Sequence, residues 1–361
     1  MLSIRDVFSI CRERESQGYR VINAHIGAPS HEPPLPVSEV LSELGEVGRN
    51  YLPFTGTDST KEAVSEYASR FLGRDYDPSR VVITNGGVQA LLIAFKLASR
   101  KGKILVPKPG FVHYFEQPEE FGFEIGYYNP LSEDLVGEIE GKLEGVGAVL
   151  VNYPNNPTGY SQDNSTLRKL WDLLSAKGVL LINDAAYSQI YYGEKPEIVG
   201  DVVVDTFSKT LSLPGMRIGY IYWGTEDYKR AGRLSYLTTA GASEPTQLLL
   251  QRMLSALTED YFSRVRQKYR SVRDELVKAL KGLGFKFPEP KGAFYLYPQH
   301  DSIKDSEVFI RSLLSREDYV IGVVPGSAFR GDKRRMRISY GKLTVEDVQV
   351  IKEVFKELVS E

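Results

Sequence analysis

Between residues 80 and 224 short apolar runs alternate with stretches of helical periodicity. VVIT (81–84), KILVP (103–107), GAVLVNY (147–153), VLLIND (179–184), DVVVDTF (201–207) and RIGYIYWG (217–224) read as strands. A strand with one wet face alternates apolar and polar residues. These runs are nearly continuous Val, Ile and Leu, as strands buried on both faces should be. Between them GGVQALLIAFKLAS (86–99) and NSTLRKLWDLLSAKG (164–178) read as helices. That order predicts an α/β fold, a mostly parallel sheet with helices on both faces, whose ligands bind at the carboxyl ends of the strands.

The pattern changes on either side. MLSIRDVFSICRERESQGY reads as an amphipathic helix, and IGAPSHEPPLP (26–36) as a loop or extended arm. After about residue 244, Val265, Tyr269, Val272, Leu276, Leu280 and Leu283 recur at helical spacing and define one long helix ending at Gly284. FKF, GAFYLYP, a helix near 305–315, YVIGVVPG, RMRISYG and a last helix from about Thr344 follow, which suits a smaller α+β unit. The 361 residues exceed what one core usually organises. The expected division is an N-terminal helix and arm (1–40) packing with the small domain, a large α/β domain (41–260) and a small α+β domain (261–361).

The formal net charge of −2, with mixed signs, argues against a nucleic-acid or anionic-membrane partner. The single Cys11 excludes an internal disulfide, and His25, His31, His113 and His300 have no zinc-type spacing, so no metal is expected. No apolar run reaches the ~20 residues of a membrane span, and no signal peptide is legible at the start. A cytoplasmic protein is expected.

Five strand ends carry chemistry. TNGGVQAL (84–91) sets two glycines between a strand and a helix, where first-turn amides and the helix dipole favour an anion; a plain tight turn uses the same residues. VNYPNNPTG (151–159) is a rigid turn that either only connects or aims Asn156 at a ligand oxygen. INDAAYSQ (182–189) ends a buried strand in Asp184, with Tyr187 three residues on. Asp184 is either a helix cap or a buried carboxylate that needs a cation. DTFSKTLSLPGMR (205–217) sets the hydroxyls of Thr206 and Ser208 beside Lys209, with Arg217 opening the next strand. Hydroxyls and Arg suit a phosphate cluster; a surface loop is the plain alternative. RMRISYG (335–341) places Arg335 and Arg337 on one strand face, which also suits a solvated edge strand protected by charge.

In combination, YPNNPTG, DAAY and TFSKTLSLPGMRIGY resemble the class I/II aminotransferases, the fold-type I enzymes that use pyridoxal 5′-phosphate (PLP), and most closely their aspartate and diaminopimelate aminotransferase subgroup. The resemblance runs from IGAPS to RMRISYG. It implies that Lys209 forms the Schiff base with the cofactor and that Asp184 pairs with the pyridinium nitrogen. Asn156 and Tyr187 match the donors to the phenolic oxygen. The amides of Gly87 and Val88, the hydroxyls of Thr206 and Ser208, and Arg217 match the phosphate site. Phe111 lies where a ring stacks on the pyridine, Tyr51 matches a tyrosine reaching the phosphate of the partner subunit, and Arg337 matches the clamp on the substrate α-carboxylate, with Gly27 beside it. Lys209, Asp184 and Tyr187 are the implied catalytic residues, in a homodimer. The implied reaction moves an amino group between an L-amino acid and a 2-oxo acid by a ping-pong mechanism. A C–S lyase or other eliminating enzyme, or a non-catalytic PLP-binding regulator, are the alternatives on the same fold. Three departures from the family pattern bear on substrate choice: Phe111 in place of Trp or Tyr, a trimmed loop between Asp184 and Lys209, and no leucine–arginine pair in GTDSTKEAVSEY.

Overall fold

The computed structural model describes residues 2–360. Its largest sheet has seven strands in the spatial order Val81–Thr84, Gly219–Trp223, Val202–Thr206, Leu180–Asp184, Val146–Val151, Lys103–Pro107, Ile125–Tyr128. Gly219–Trp223 runs antiparallel to both neighbours and the remaining pairs are parallel. The apolar runs are buried on both faces, and the pleat shows how. Ile104, Val106, Ala148, Leu150, Leu180 and Ile182 join one core cluster. Their alternates Leu105, Val149, Val151 and Leu181 join another.

Helix Gly87–Ala98 covers the first face and buries Leu91, Ile93, Phe95 and Leu97. A helix of twelve residues is marginal in water. Burial at about 1.5–3 kcal/mol per large apolar side chain is what holds it. On the other face, helix Asn164–Ala176 contributes Leu167, Leu170 and Leu174.

Strand Ile125–Tyr128 is absent from the sequence reading. It is the edge strand, it is only partly buried, and its IGYY has no continuous apolar run to announce it. Helix Glu259–Gly282 stops where expected: Gly284 takes φ +84°, and Gly284 N and Phe285 N close onto Lys281 O and Leu280 O, each at 3.0 Å. The plain alternative for RMRISYG, a solvated edge strand, is not what the structure has. Met336–Ser339 is the middle strand of three, flanked by Val324–Pro325 and Tyr295–Leu296, and all four of its residues are buried. Arg335 stands outside it. Val21–Ile22 pairs in parallel with Val320–Ile321, tying the N-terminal segment to the C-terminal part of the chain. Among the described residues no helix is long and apolar enough to cross a membrane.

Candidate active site

Parallel pairing of Leu180–Asp184 with Val202–Thr206 brings their carboxyl ends side by side, with Asp184 opposite Val204. The start of helix Gly87–Ala98 packs over them. A Cβ on Gly87 would meet Thr206 Cβ at 3.2 Å, so glycine lets the helix start close against the strand end. A cavity of about 1000 Å³ opens there, and every residue to which the resemblance gave a role lines it except Tyr51; Arg335 does not line it.

One end is built for an anion. Gly86 precedes the helix at φ +82° and offers no side-chain cap, so the first-turn amides, those of Gly87 and Val88 among them, have no intrahelical partner. A Cβ on Gly86 would lie 2.6 Å from Arg217 Nη2, so only glycine admits the guanidinium beside this turn. Arg217 itself sits at φ +51°, and the strand opens at Gly219 rather than at Arg217 as expected from the sequence, because a left-handed residue cannot continue a ladder. The hydroxyls of Thr206 and Ser208 are 3.0 Å apart beside it.

Next to this lies Lys209, in the four-residue helix Phe207–Thr210, donating from Nζ to the Gly27 carbonyl oxygen. Burial, reinforced by Arg337 and Arg217, lowers its pKa to about 8. An ordinary lysine is roughly 0.1% neutral near pH 7.5; a pKa near 8 makes that about a quarter. The amine is therefore a competent nucleophile and base.

Asp184 is the last residue of its strand and caps no helix. Its carboxylate, 5% exposed, accepts from Tyr114 Oη at 2.6 Å and from Ala186 N at 3.1 Å, and among the described residues no cation pairs with it. Burial pushes its pKa up to about 6. A buried carboxylate in this state is completed by a ligand that brings a positive N–H.

Arg337 is 3% exposed and also meets no opposite charge among the described residues. Nη1 donates to Asn156 Oδ1 at 3.1 Å and Nη2 to His25 O at 2.7 Å, while Nε has no partner. The guanidinium lies between the rings of Tyr295 and Phe329, each 4.7 Å away. Asn156 thus orients Arg337 through its oxygen and keeps its amide protons for a ligand. Tyr187 Oη meets Tyr295 Oη at 2.7 Å. Phe111 stands edge-on to Tyr114, centroids 5.7 Å apart.

Tyr51 lies apart, 96% exposed. Tyr114 and Tyr295 belong to the site and were not singled out from the sequence; Gly86 is the first of the two glycines of TNGGVQAL. Tyr114 and Tyr295 sit in aromatic runs, FVHYF and GAFYLYP, that read equally well as core.

Residues 20–355 match the family described as aminotransferase class I and II. The aspartate aminotransferase of Pyrococcus horikoshii is 28% identical, with 99% of this chain and 95% of that protein covered. The aspartate aminotransferase of Thermotoga maritima is 30% identical over 87% of this chain and 85% of its own. A crystal structure of Thermotoga maritima aspartate aminotransferase superposes with a TM-score of 0.89 at 26% identity, covering 100% of this chain and 98% of that one.

Proposed function

The chain belongs to the class I and II aminotransferases, and from that premise we propose how its residues carry the transfer of an amino group between an L-amino acid and a 2-oxo acid. The family is PLP-dependent, and the cavity fits that cofactor. Its anion cradle matches a phosphate ester, the unneutralised Asp184 a protonated ring nitrogen, and Lys209 an aldehyde. When bound, PLP supplies an electron sink for the charge released as the substrate Cα–H bond breaks.

Lys209 would hold the cofactor's aldehyde carbon through its amine. Freed of that hold, Lys209 would be the base that takes the proton from substrate Cα, a role typically worth ~10²–10⁴ in rate. Gly86–Val88, Thr206, Ser208 and Arg217 anchor the phosphate. Asp184 keeps the ring nitrogen protonated. Arg337 grips the α-carboxylate and, with Asn156 behind it, turns the Cα–H bond toward Lys209. The observation that carries this reading is Arg337: a buried guanidinium with no anion, in the same cavity as a lysine whose pKa is near 8.

The relatives' names make L-aspartate the first amino donor proposed. Lys108 lines the cavity beside the ring of Tyr127, 5.0 Å away, and is available to a second carboxylate. Initial rates with L-aspartate and 2-oxoglutarate should give the parallel double-reciprocal lines of a ping-pong reaction. Arg337→Lys, which removes the two-pronged grip, should raise KM for both substrates roughly 10²-fold and change kcat less. Intersecting lines, or an unmoved KM, would contradict the assignment.

The proposal includes a homodimer in which Tyr51 completes the phosphate site of the partner. Its exposure, with Phe54, Tyr236 and Leu237 also exposed, supports a surface covered in solution. Tyr51→Phe should weaken PLP binding about tenfold, the worth of one hydrogen bond to a charged group. Mixing it with Lys209→Ala protein should restore tight binding at the one intact site of each hybrid dimer. Light scattering that shows an active monomer overturns this arrangement.

A further inference from the structure

Tyr187 and Tyr295, 5% and 1% exposed, both line the cavity and share one hydroxyl–hydroxyl bond. Two phenols carry two protons, and one bond uses one of them. Neither hydroxyl has another hydrogen-bond partner among the described residues. Whichever ring accepts therefore keeps a proton to give elsewhere.

Arg337 decides which one that is. Its guanidinium lies 4.7 Å from the centroid of the Tyr295 ring, where a cation favours loss of the phenolic proton. Burial raises both hydroxyls above the usual phenol range, Tyr187 well above it; Arg337 offsets this at both, but at Tyr187 the Tyr295 hydroxyl beside it raises it further, whereas at Tyr295 Arg337 is the chief influence after burial. The more acidic hydroxyl is the better donor, so Tyr295 donates and Tyr187 accepts. Gly27 makes room for this. A Cβ there would lie 2.7 Å from Tyr295 Oη, so a larger residue would push the hydroxyl away.

We propose that Tyr295 is a positioning residue that, by donating to Tyr187, commits the Tyr187 proton to the phenolic oxygen of bound PLP. The inference rests on reading the cavity as a PLP site with Tyr187 as a donor to that oxygen. An oxygen that accepts a hydrogen bond becomes a stronger donor through its own proton. A donor to the phenolic oxygen favours the form in which that oxygen is negative and the nitrogen of the Lys209 linkage has lost its proton. Tyr295 therefore lowers the pH at which that linkage takes up a proton. The charges that act on Lys209 are Arg337 and Arg217, and the cavity is also lined by Asp184, Asp205, Tyr114, Lys108, His113, Arg5, Glu116, Glu119 and Arg330. Tyr295→Phe leaves all of them in place and keeps the ring under Arg337.

The test is the visible absorbance of the holoenzyme titrated with pH. In Tyr295→Phe the midpoint should rise on the order of 0.5 pH unit. Tyr187→Phe should raise it further, and the double variant should match Tyr187→Phe, because Tyr295 acts through Tyr187. A purely structural role for Tyr295 would not produce that equality. An unmoved midpoint in Tyr295→Phe, or the same increment on the Tyr187→Phe background, overturns the inference alone. A wild-type protein with no titrating band overturns the cofactor reading and this inference with it.

Discussion

Lys209→Ala is expected to abolish amino-group transfer while leaving the fold intact. The lysine has two tasks that no neighbour can take over. In the proposed reaction it is the amine that would bond the aldehyde and the base for the proton at substrate Cα. Arg337 and Arg217, the cations beside it, are guanidiniums and do not serve as an amine nucleophile. Loss of the base alone costs ~10²–10⁴ in rate, and loss of the covalent hold adds to it. The structural cost is small by comparison. Lys209 Nζ has one hydrogen bond, to the Gly27 carbonyl oxygen, and truncation leaves that oxygen facing a cavity large enough for water. The variant should keep its unfolding temperature within a few degrees and still bind PLP through the phosphate cradle. Activity within tenfold of wild type would contradict the role.

Asp184→Asn should separate stability from function. The carboxylate is buried without a cation, and its pKa, about 6, lies above the ordinary 3.8. A group raised in this way contributes stability below its unfolded value, and that contribution is lost as pH rises through about 6. At neutral pH the buried charge is a net cost to the protein free of cofactor. Asparagine removes the charge and keeps the local bonds. Its oxygen can accept from Ala186 N, and the Tyr114 hydroxyl can turn to accept from its amide. The cofactor-free variant should therefore be more stable than wild type at neutral pH, by roughly 1–3 kcal/mol. The advantage should vanish as the pH is lowered toward 4, where wild-type Asp184 is protonated. Turnover should move the other way and fall on the order of 10²–10³, because a neutral amide cannot hold the ring nitrogen in its charged form. Chemical denaturation at two pH values, with steady-state kinetics at neutral pH, reads both. A variant that is less stable at neutral pH, or that keeps full activity, would show that Asp184 is a structural carboxylate.

The sheet was legible because its runs are too apolar for strands with a wet face, and the alternating residues do divide between two cores. The cavity residues were legible because chemistry is concentrated at strand ends, where a short motif fixes both element and position. What stayed hidden depended on distant partners. Arg337 looked compatible with a solvated edge because nothing local shows that Tyr295–Leu296 and Val324–Pro325 close over both sides of its strand. Tyr114 and Tyr295 are spelled in aromatic runs, and their hydroxyls gain meaning only when Asp184 and Tyr187 arrive from other elements, 70 and 108 residues away. Ile125–Tyr128 is held by one neighbour at the sheet edge, so its own residues needed little apolar character.

The central claim is that one lysine amine in this cavity bonds the cofactor. Borohydride reduction of the PLP-loaded protein, followed by peptide mapping, tests it most directly. A single tagged peptide carrying the label on Lys209 is expected. A label on any other lysine, or no label at all, would contradict it.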